Sequence, residues 1–309
     1  MNDPLVSIIM PSYNTSSLYL HEAVQSILDQ TYANFELFII DDGSDPPVTN
    51  IISDINDPRV RIICNSNNRG LPYSLNKGLE HVSGKYVFRM DSDDKSFSNR
   101  LQQQVLFLEK NQHIDVVSSF AKCFGNKKNI YKSATSDEQI KAELLWKNPI
   151  VHPATAIRMN TIRKYNIQYN LNSISEDYDI WSRMAFMYHC KFAVIPKVLL
   201  EYRVHAGQIT SIKREMLQKD EKKILQYNFR QLNIHLSEYE LDIYHAFRIG
   251  ISFSYNELIG VLTIMNKILK EVPQEISREH LKKIYTKQIL KYCLHKKKHK
   301  GIIQLIKSH

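Results

Sequence analysis

The chain has 309 residues, 43% hydrophobic and 24% charged, which suits one large globular domain or two modest ones. No stretch approaches the ~18 uninterrupted apolar residues of a membrane span, and the four cysteines (Cys64, Cys123, Cys190, Cys293) form no CxxC pair, which argues against a zinc site or disulfide framework and for a reducing cytosol. The net charge is +9, yet Arg278 to His309 alone holds ten Lys or Arg against one acid, Glu279; this tail-borne basicity speaks against a nucleic-acid enzyme, whose cations would line a cleft.

The N-terminus, Met1-Asn-Asp-Pro, lacks the basic start of a signal peptide, so none is expected. Val6–Met10 reads as a short buried strand stopping at Pro11. Leu18–Leu28 has helical spacing. Phe35–Ile40 is a second strand, closed by Asp41-Asp42-Gly43-Ser44, and Val60–Cys64 a third. Leu71–Val82 is a helix stopped by Gly84, and Tyr86–Met90 a fourth strand. A helix over Leu101–Leu108 and a strand over Ile114–Phe120 follow. This βαβα order predicts an α/β fold, a mostly parallel sheet with helices on both faces. Further on, helices are expected near Glu138–Trp146 and Tyr178–Tyr188, and strands near Ala154–Arg158 and Phe192–Tyr202. From about residue 208 the pattern is helical and Lys-rich, interrupted by Pro273, with a last apolar segment at Ile302, Ile303, Leu305 and Ile306. The division is thus 1–207 and a helical 208–309.

Polar clusters fall at the strand ends, and a parallel sheet would bring them to one edge. They are Pro11-Ser12-Tyr13-Asn14, Asp41-Asp42-Gly43-Ser44, Asn67-Asn68-Arg69-Gly70 and Asp91-Ser92-Asp93-Asp94. Each also reads as an ordinary turn or helix cap. Carboxylates two apart can hold a hard divalent cation, which can neutralise a phosphate leaving group. Later, Glu176-Asp177 precedes a helix and reads either as its cap or as a general base. Arg203 and His205 follow a strand and suit phosphate or metal; His152 is a weaker case of the same kind.

The ordered set Val6-Ser-Ile-Ile-Met-Pro-Ser-Tyr-Asn14, Ile40-Asp-Asp-Gly-Ser44, Asn68-Arg-Gly70, Arg89-Met-Asp-Ser-Asp-Asp94, Glu176-Asp177 and Tyr202-Arg-Val-His205 resembles family 2 of the inverting nucleotide-sugar glycosyltransferases, which have a GT-A (Rossmann-like) fold. Trp146-Lys-Asn-Pro149 and His152-Pro153 look like its bacterial lipooligosaccharide and O-antigen branch. The resemblance implies a UDP-sugar donor and Mn²⁺ or Mg²⁺. It makes Asp41 a uracil contact, with Pro11 and Tyr13 lining the base pocket and Asn14 among the UDP-sugar-binding residues. Asn68 and Gly70 lie by the nucleotide, Arg69 is a phosphate neighbour, Ser92 belongs to the donor site, and Arg203 closes over the diphosphate. Asp93, Asp91 and His205 become metal ligands, Asp91 nearer the ribose, and Asp177 the catalytic base supported by Glu176; Asp94 is left without a role.

The implied reaction places a hexose or N-acetylhexosamine, through a β-linkage (β1,3 preferred), on a saccharide or undecaprenyl-diphosphate-linked oligosaccharide. A sugar-nucleotide-binding protein without turnover would usually lose the base. A nucleotidyltransferase would want a Gly-rich phosphate loop after the first strand, which Pro11–Asn14 does not supply. Leu281, Ile284, Tyr285, Ile289 and Tyr292 share one helical face opposite Lys283, Lys287 and Lys291. That pattern suggests a helix on an anionic membrane surface, hence a cytoplasmic protein peripheral on the inner face of the bacterial inner membrane. Oligomerisation is compatible with the sequence.

Overall fold

A computed structural model describes residues 3–205 and 214–296. The last expected apolar segment, Ile302 to Ile306, lies outside them. The first 110 residues form β1 (Val6–Ser12), α1 (Ser17–Leu28), β2 (Phe35–Asp41), α2 (Val48–Ile51), β3 (Val60–Cys64), α3 (Leu71–His81), β4 (Tyr86–Arg89), β5 (Lys95–Ser96) and α4 (Arg100–Lys110). Then come β6 (Val116–Gly125), β7 (Ile130–Tyr131), α5 (Asp137–Leu144), a 3-10 turn at His152–Ala154, β8 (Ala156–Arg158), α6 (Met159–Tyr165), α7 (Glu176–Phe186) and β9 (Phe192–Val204). Four helices complete it: α8 (Arg214–Gln231), α9 (Glu238–Arg248), α10 (Tyr255–Glu271) and α11 (Arg278–Lys296).

The sheet order is β3-β2-β1-β4-β8-β6-β9-β5, with β7 beside β6. β3, β2, β1 and β4 are parallel, as their separation by helices requires. β8 runs antiparallel between β4 and β6, while β6 and β9 are parallel. β1 continues through Pro11 to Ser12, two residues further than the proline suggested. In a parallel strand Pro11 faces the same neighbour as Ile9, and pairing with β4 stops at Ile9↔Arg89, so its missing N–H leaves no ladder bond unmade.

Strand alternation divides the core. Ile8, Met10, Leu37, Ile39 and Phe88 face α1 and α4, where Leu20, Val24, Ile27, Leu101 and Leu108 are fully buried. Each such side chain stabilises the fold by about 1.5–3 kcal/mol. Ile9, Phe38, Ile40 and Val87 face the other way, into a cluster that includes Leu75 and Trp181. That second cluster runs on without a break through Phe229, Tyr244, Ile264 and Tyr285, so the C-terminal helices share the core of the sheet region. α9 and α10 begin with capping boxes, Ser237/Glu240 and Ser254/Glu257, which fix where these two helices start.

The tail corrects one expectation. Leu281, Tyr285 and Ile289, the face assigned to a membrane, are buried. Tyr285 shares a hydrogen bond of 3.0 Å with Tyr244 Oη and packs edge-on against Trp146. The apolar stripe of α11 is interior because α5 and α10 cover it. Its Lys face stays exposed. No helix among the described residues is long and apolar enough to cross a membrane.

Candidate active site

The parallel strands deliver their polar ends side by side, and hydrogen bonds tie them together. The Asn14 N–H donates to Ser44 Oγ (3.0 Å), and the Asp45 N–H donates to Asn14 Oδ1 (2.9 Å). Thr15 Oγ1 and Ser92 Oγ are 2.7 Å apart, linking the β1 and β4 loops. Gly43, at φ 76°, sits where a Cβ would lie 2.7 Å from the Asn67 carbonyl carbon, so glycine is required both for its backbone and for that approach. The two aspartates after β2 hold loops. Asp41 accepts the Ser44 and Val48 N–H groups, each at 2.9 Å. Asp42 accepts those of Arg69 (3.0 Å) and Gly70 (2.8 Å) and the Asn65 amide (2.7 Å). Asp41 is buried, whereas Tyr13 is half exposed and Asn68 exposed, so the open wall of this pocket is Tyr13 and the Asn68 loop. The Arg69 guanidinium lies over the Tyr73 ring at 4.5 Å.

Beyond β4, Asp91, Asp93 and Asp94 each offer an oxygen, all within 4.8 Å of one another. Arg89, buried under the loop, donates to Asp91 Oδ1 at 2.5 Å. His205 Nε2 lies 2.9 Å from Asp93 Oδ2. Burial, then the charge of Asp91, raises the Asp93 pKa, against the opposing effect of His205. Burial, Asp91 and Asp93 push Asp94 well above the usual carboxylate range. Three crowded carboxylates with one neighbouring imidazole are a donor set that fits a hard divalent cation, whose charge would relieve their repulsion. Asp94 gains a definite place: its Oδ1 accepts the Arg203 N–H at 2.7 Å, clamping the end of β9 onto the carboxylate loop, while its buried Oδ2 has no partner among the described residues.

Arg203 has several protein partners. Its guanidinium lies between the rings of Tyr19 (3.9 Å) and Phe124 (4.3 Å), pairs with Glu22 (2.5 Å), and donates through Nε to the Asp93 carbonyl (2.6 Å). These contacts brace the loop, and Glu22 gives the buried cation a fixed counter-charge. His152 has protein partners of its own. It is buried, bonded to Tyr169 Oη at 2.9 Å, and its pKa is pushed down by burial and by Arg89.

Glu176 and Asp177 open α7. Ser175 occupies the N-cap position but its hydroxyl makes no cap bond. Burial raises Glu176 to about 8, with Asp177 adding to the shift. Burial raises Asp177 to about 6, opposed by the Tyr178 N–H and reinforced by Glu221 and Asp91. Asp91 raises both, so the carboxylate loop lies within electrostatic reach of the start of α7. Two residues that received no role from the sequence hold this end. Asn148 Nδ2 donates to Asp177 Oδ2 at 2.7 Å, and its own Oδ1 accepts the Ile150 N–H at 3.0 Å, which fixes the amide orientation. Asp220, on α8, binds the turn before Glu176. Asn148 lies within the quoted Trp146–Pro149 segment; nothing local to Asp220 distinguishes it from other helix-surface carboxylates.

The Glycosyl transferase family 2 profile matches residues 7–166, the stretch that carries all four strand-end clusters. The chain belongs to this family. It is 31% identical to an uncharacterized glycosyltransferase of Haemophilus influenzae, across 89% of this chain and 86% of that one. It is 28% identical to WfgD of Escherichia coli, a UDP-Glc:alpha-D-GlcNAc-diphosphoundecaprenol beta-1,3-glucosyltransferase, across 71% of this chain and 85% of that one. Among solved structures, Staphylococcus aureus TarS 1-349, crystallised with UDP-GlcNAc, superposes with a TM-score of 0.62 at 18% identity, covering 93% of this chain and 89% of TarS. The glycosyltransferase thus has the GT-A fold that its sequence led one to expect.

Proposed function

We propose that this glycosyltransferase moves a hexose or N-acetylhexosamine from a UDP-sugar to a hydroxyl of a saccharide or undecaprenyl-diphosphate-linked acceptor, with inversion to a β-glycoside, β1,3 preferred. The observation that carries this reading is the pairing of an Asp91–Asp93–Asp94 cluster with a buried carboxylate pair, Glu176 and Asp177, within its electrostatic reach. WfgD, named for a β1,3 transfer to a diphosphoundecaprenol acceptor, supports the acceptor class and the linkage. TarS, crystallised with UDP-GlcNAc, supports a uridine donor.

In this mechanism Pro11, Tyr13 and Asn14 flank the base, Asp41 shapes the floor of its pocket, and Asn68 and Gly70 border the nucleotide. Asp91 and Ser92 lie on the ribose side. Asp93 and His205, with Asp91, would hold Mn²⁺ or Mg²⁺, which when bound neutralises the departing diphosphate. Asp177 takes the proton of the acceptor hydroxyl as that oxygen bonds to the anomeric carbon. The bond to UDP breaks on the opposite face and its electron pair leaves with the phosphate oxygen. One displacement needs one base, and Glu176, protonated up to about pH 8, keeps a second negative charge away from it. Release of UDP from a panel of UDP-sugars with Mn²⁺, against free and lipid-linked saccharides, tests the reading. Acceptor-dependent release is expected, and its absence with every pair would reject it.

The same reading assigns catalysis to 1–207 and acceptor or membrane contact to 208–309, on the inner face of the inner membrane. With the apolar stripe of α11 interior, contact with an anionic surface falls to its exposed cations, Lys283, Lys287 and Lys291, beside Leu294. Replacing those three lysines by glutamine should weaken binding to anionic vesicles and leave binding to neutral ones unchanged. Equal binding to anionic vesicles before and after would reject the contact.

A further inference from the structure

The base at the start of α7 is anchored from another part of the chain. Asp220 Oδ2 accepts three hydrogen bonds: Ser173 Oγ at 2.7 Å, the Ile174 N–H at 2.9 Å and the Ser175 N–H at 2.9 Å. These donors lie immediately before Glu176 and Asp177. A helix start leaves backbone N–H groups without intrahelical partners, normally met by the N-cap side chain. Here the N-cap, Ser175, does not do so, and its buried hydroxyl has no partner among the described residues. A carboxylate from α8 takes over the preceding turn. α8 itself is locked in place: Ile224, Leu225 and Phe229 are buried, and the Asn228 amide donates to the Leu144 carbonyl at 3.1 Å. Glu221, next to Asp220, pairs with Arg248 of α9.

We propose that Asp220 is a positioning residue for transfer: it sets the backbone from which Asp177 reaches the acceptor hydroxyl, and so makes the C-terminal helices part of the catalytic apparatus. The inference rests on the reading of Asp177 as the base. Base catalysis is sensitive to placement, because the carboxylate must lie within hydrogen-bond reach of the proton it removes. Three donors converging on one charged oxygen form a stiff, charge-assisted anchor. Losing it frees the 173–175 turn and with it the first turn of α7. The strand-end pocket has its own anchors in Asp41 and Asp42, so donor binding should not feel the change.

The test compares Asp220→Ala, Asp220→Asn and Asp177→Asn in the full chain. Asp220→Ala should lower kcat about tenfold or more with the donor KM and UDP affinity unchanged. Asp220→Asn should recover to within about threefold of the parent, since an amide oxygen can accept the same three donors. Hydrogen exchange at Ile174 and Ser175 should speed up in Asp220→Ala only. Parent kcat in Asp220→Ala, or parallel losses of kcat and UDP affinity, would overturn the positioning role. If Asp220→Ala does not fold, Ser173→Ala serves, with a smaller kcat loss and the same unchanged donor KM expected, and a fall in UDP affinity counting against the proposal. Full activity in Asp177→Asn would instead overturn the base assignment, a separate failure.

Discussion

The two walls of the candidate site are built differently. On the nucleotide side, nearly every polar group is held by its strand-end neighbours: Asp41 by Ser44 and Val48, Asn14 by Ser44, and the Asp42 carboxylate by the next strand-end loop along the sheet. On the base side, Asp177 depends on Asn148, 29 residues away, and the turn before it on Asp220, 45 residues from Ser175. The first wall is a property of the parallel sheet. The second exists only once α5, α7 and α8 have packed. The sheet-held wall should lose stability when cut, and the helix-held wall should lose mainly rate.

The largest effect expected of a single change is on the carboxylate loop where the walls meet. Asp93→Ala should lower metal-dependent transfer by about 10³, the scale of several kcal/mol of charge stabilisation, read as kcat against Mn²⁺ concentration. Saturating metal should not restore it. Asp42→Ala tests the nucleotide wall as structure. Removing an ionised acceptor of three hydrogen bonds should cost about 3 kcal/mol of folding stability, measured by urea unfolding, and should do so without substrate present.

Asn148→Ala addresses the other wall and should lower kcat about tenfold, with a stability loss of about 1–3 kcal/mol because the buried Asp177 carboxylate loses a donor. It also carries a sign. Asn148 donates to the ionised carboxylate and so favours that form; without it the Asp177 pKa rises. Transfer requires ionised Asp177, so kcat/KM in the parent should climb with pH through about 6 and then level off. In Asn148→Ala that limb should move to higher pH. A limb that does not move would place Asn148 outside the base's environment.

The smallest effect concerns Glu176. Its folded pKa is raised to about 8, chiefly by burial. The folded state therefore holds a proton that the unfolded chain releases near its ordinary value of 4.5, so the stability this gives is fully present only below about pH 4.5 and is lost progressively as pH rises to about 8. Glu176→Gln mimics the protonated form, so it should match the parent near pH 4 and melt on the order of 2–4 °C higher near pH 9. Equal melting temperatures at pH 9 would show that Glu176 ionises without cost.

This contrast also explains what the sequence could convey. Apolar runs ending in Asp, Asn or Gly mark β1, β2 and β4 because a parallel sheet puts strand ends, which are contiguous in sequence, at one edge. His205 and Asp93 were both legible as end-of-strand residues, although their 2.9 Å approach depends on Asp94 clamping β9. The protein partners of Arg203 were not legible, because Glu22, Tyr19 and Phe124 come from distant segments. The stripe on α11 misled: an amphipathic pattern shows that a face is covered, and not by what. Asp220 carries no local signal, since its donors, one hydroxyl and two backbone N–H groups, lie 45 to 47 residues earlier.

The central claim, that a base held from afar works beside a carboxylate loop held by the sheet, is tested most directly by Asp177→Asn. Sugar transfer and UDP affinity should be measured on the same preparation with Mn²⁺ present. The account predicts a fall in kcat of about 10³ with UDP binding as in the parent. Undiminished transfer, or loss of transfer only in step with loss of UDP binding, would contradict it.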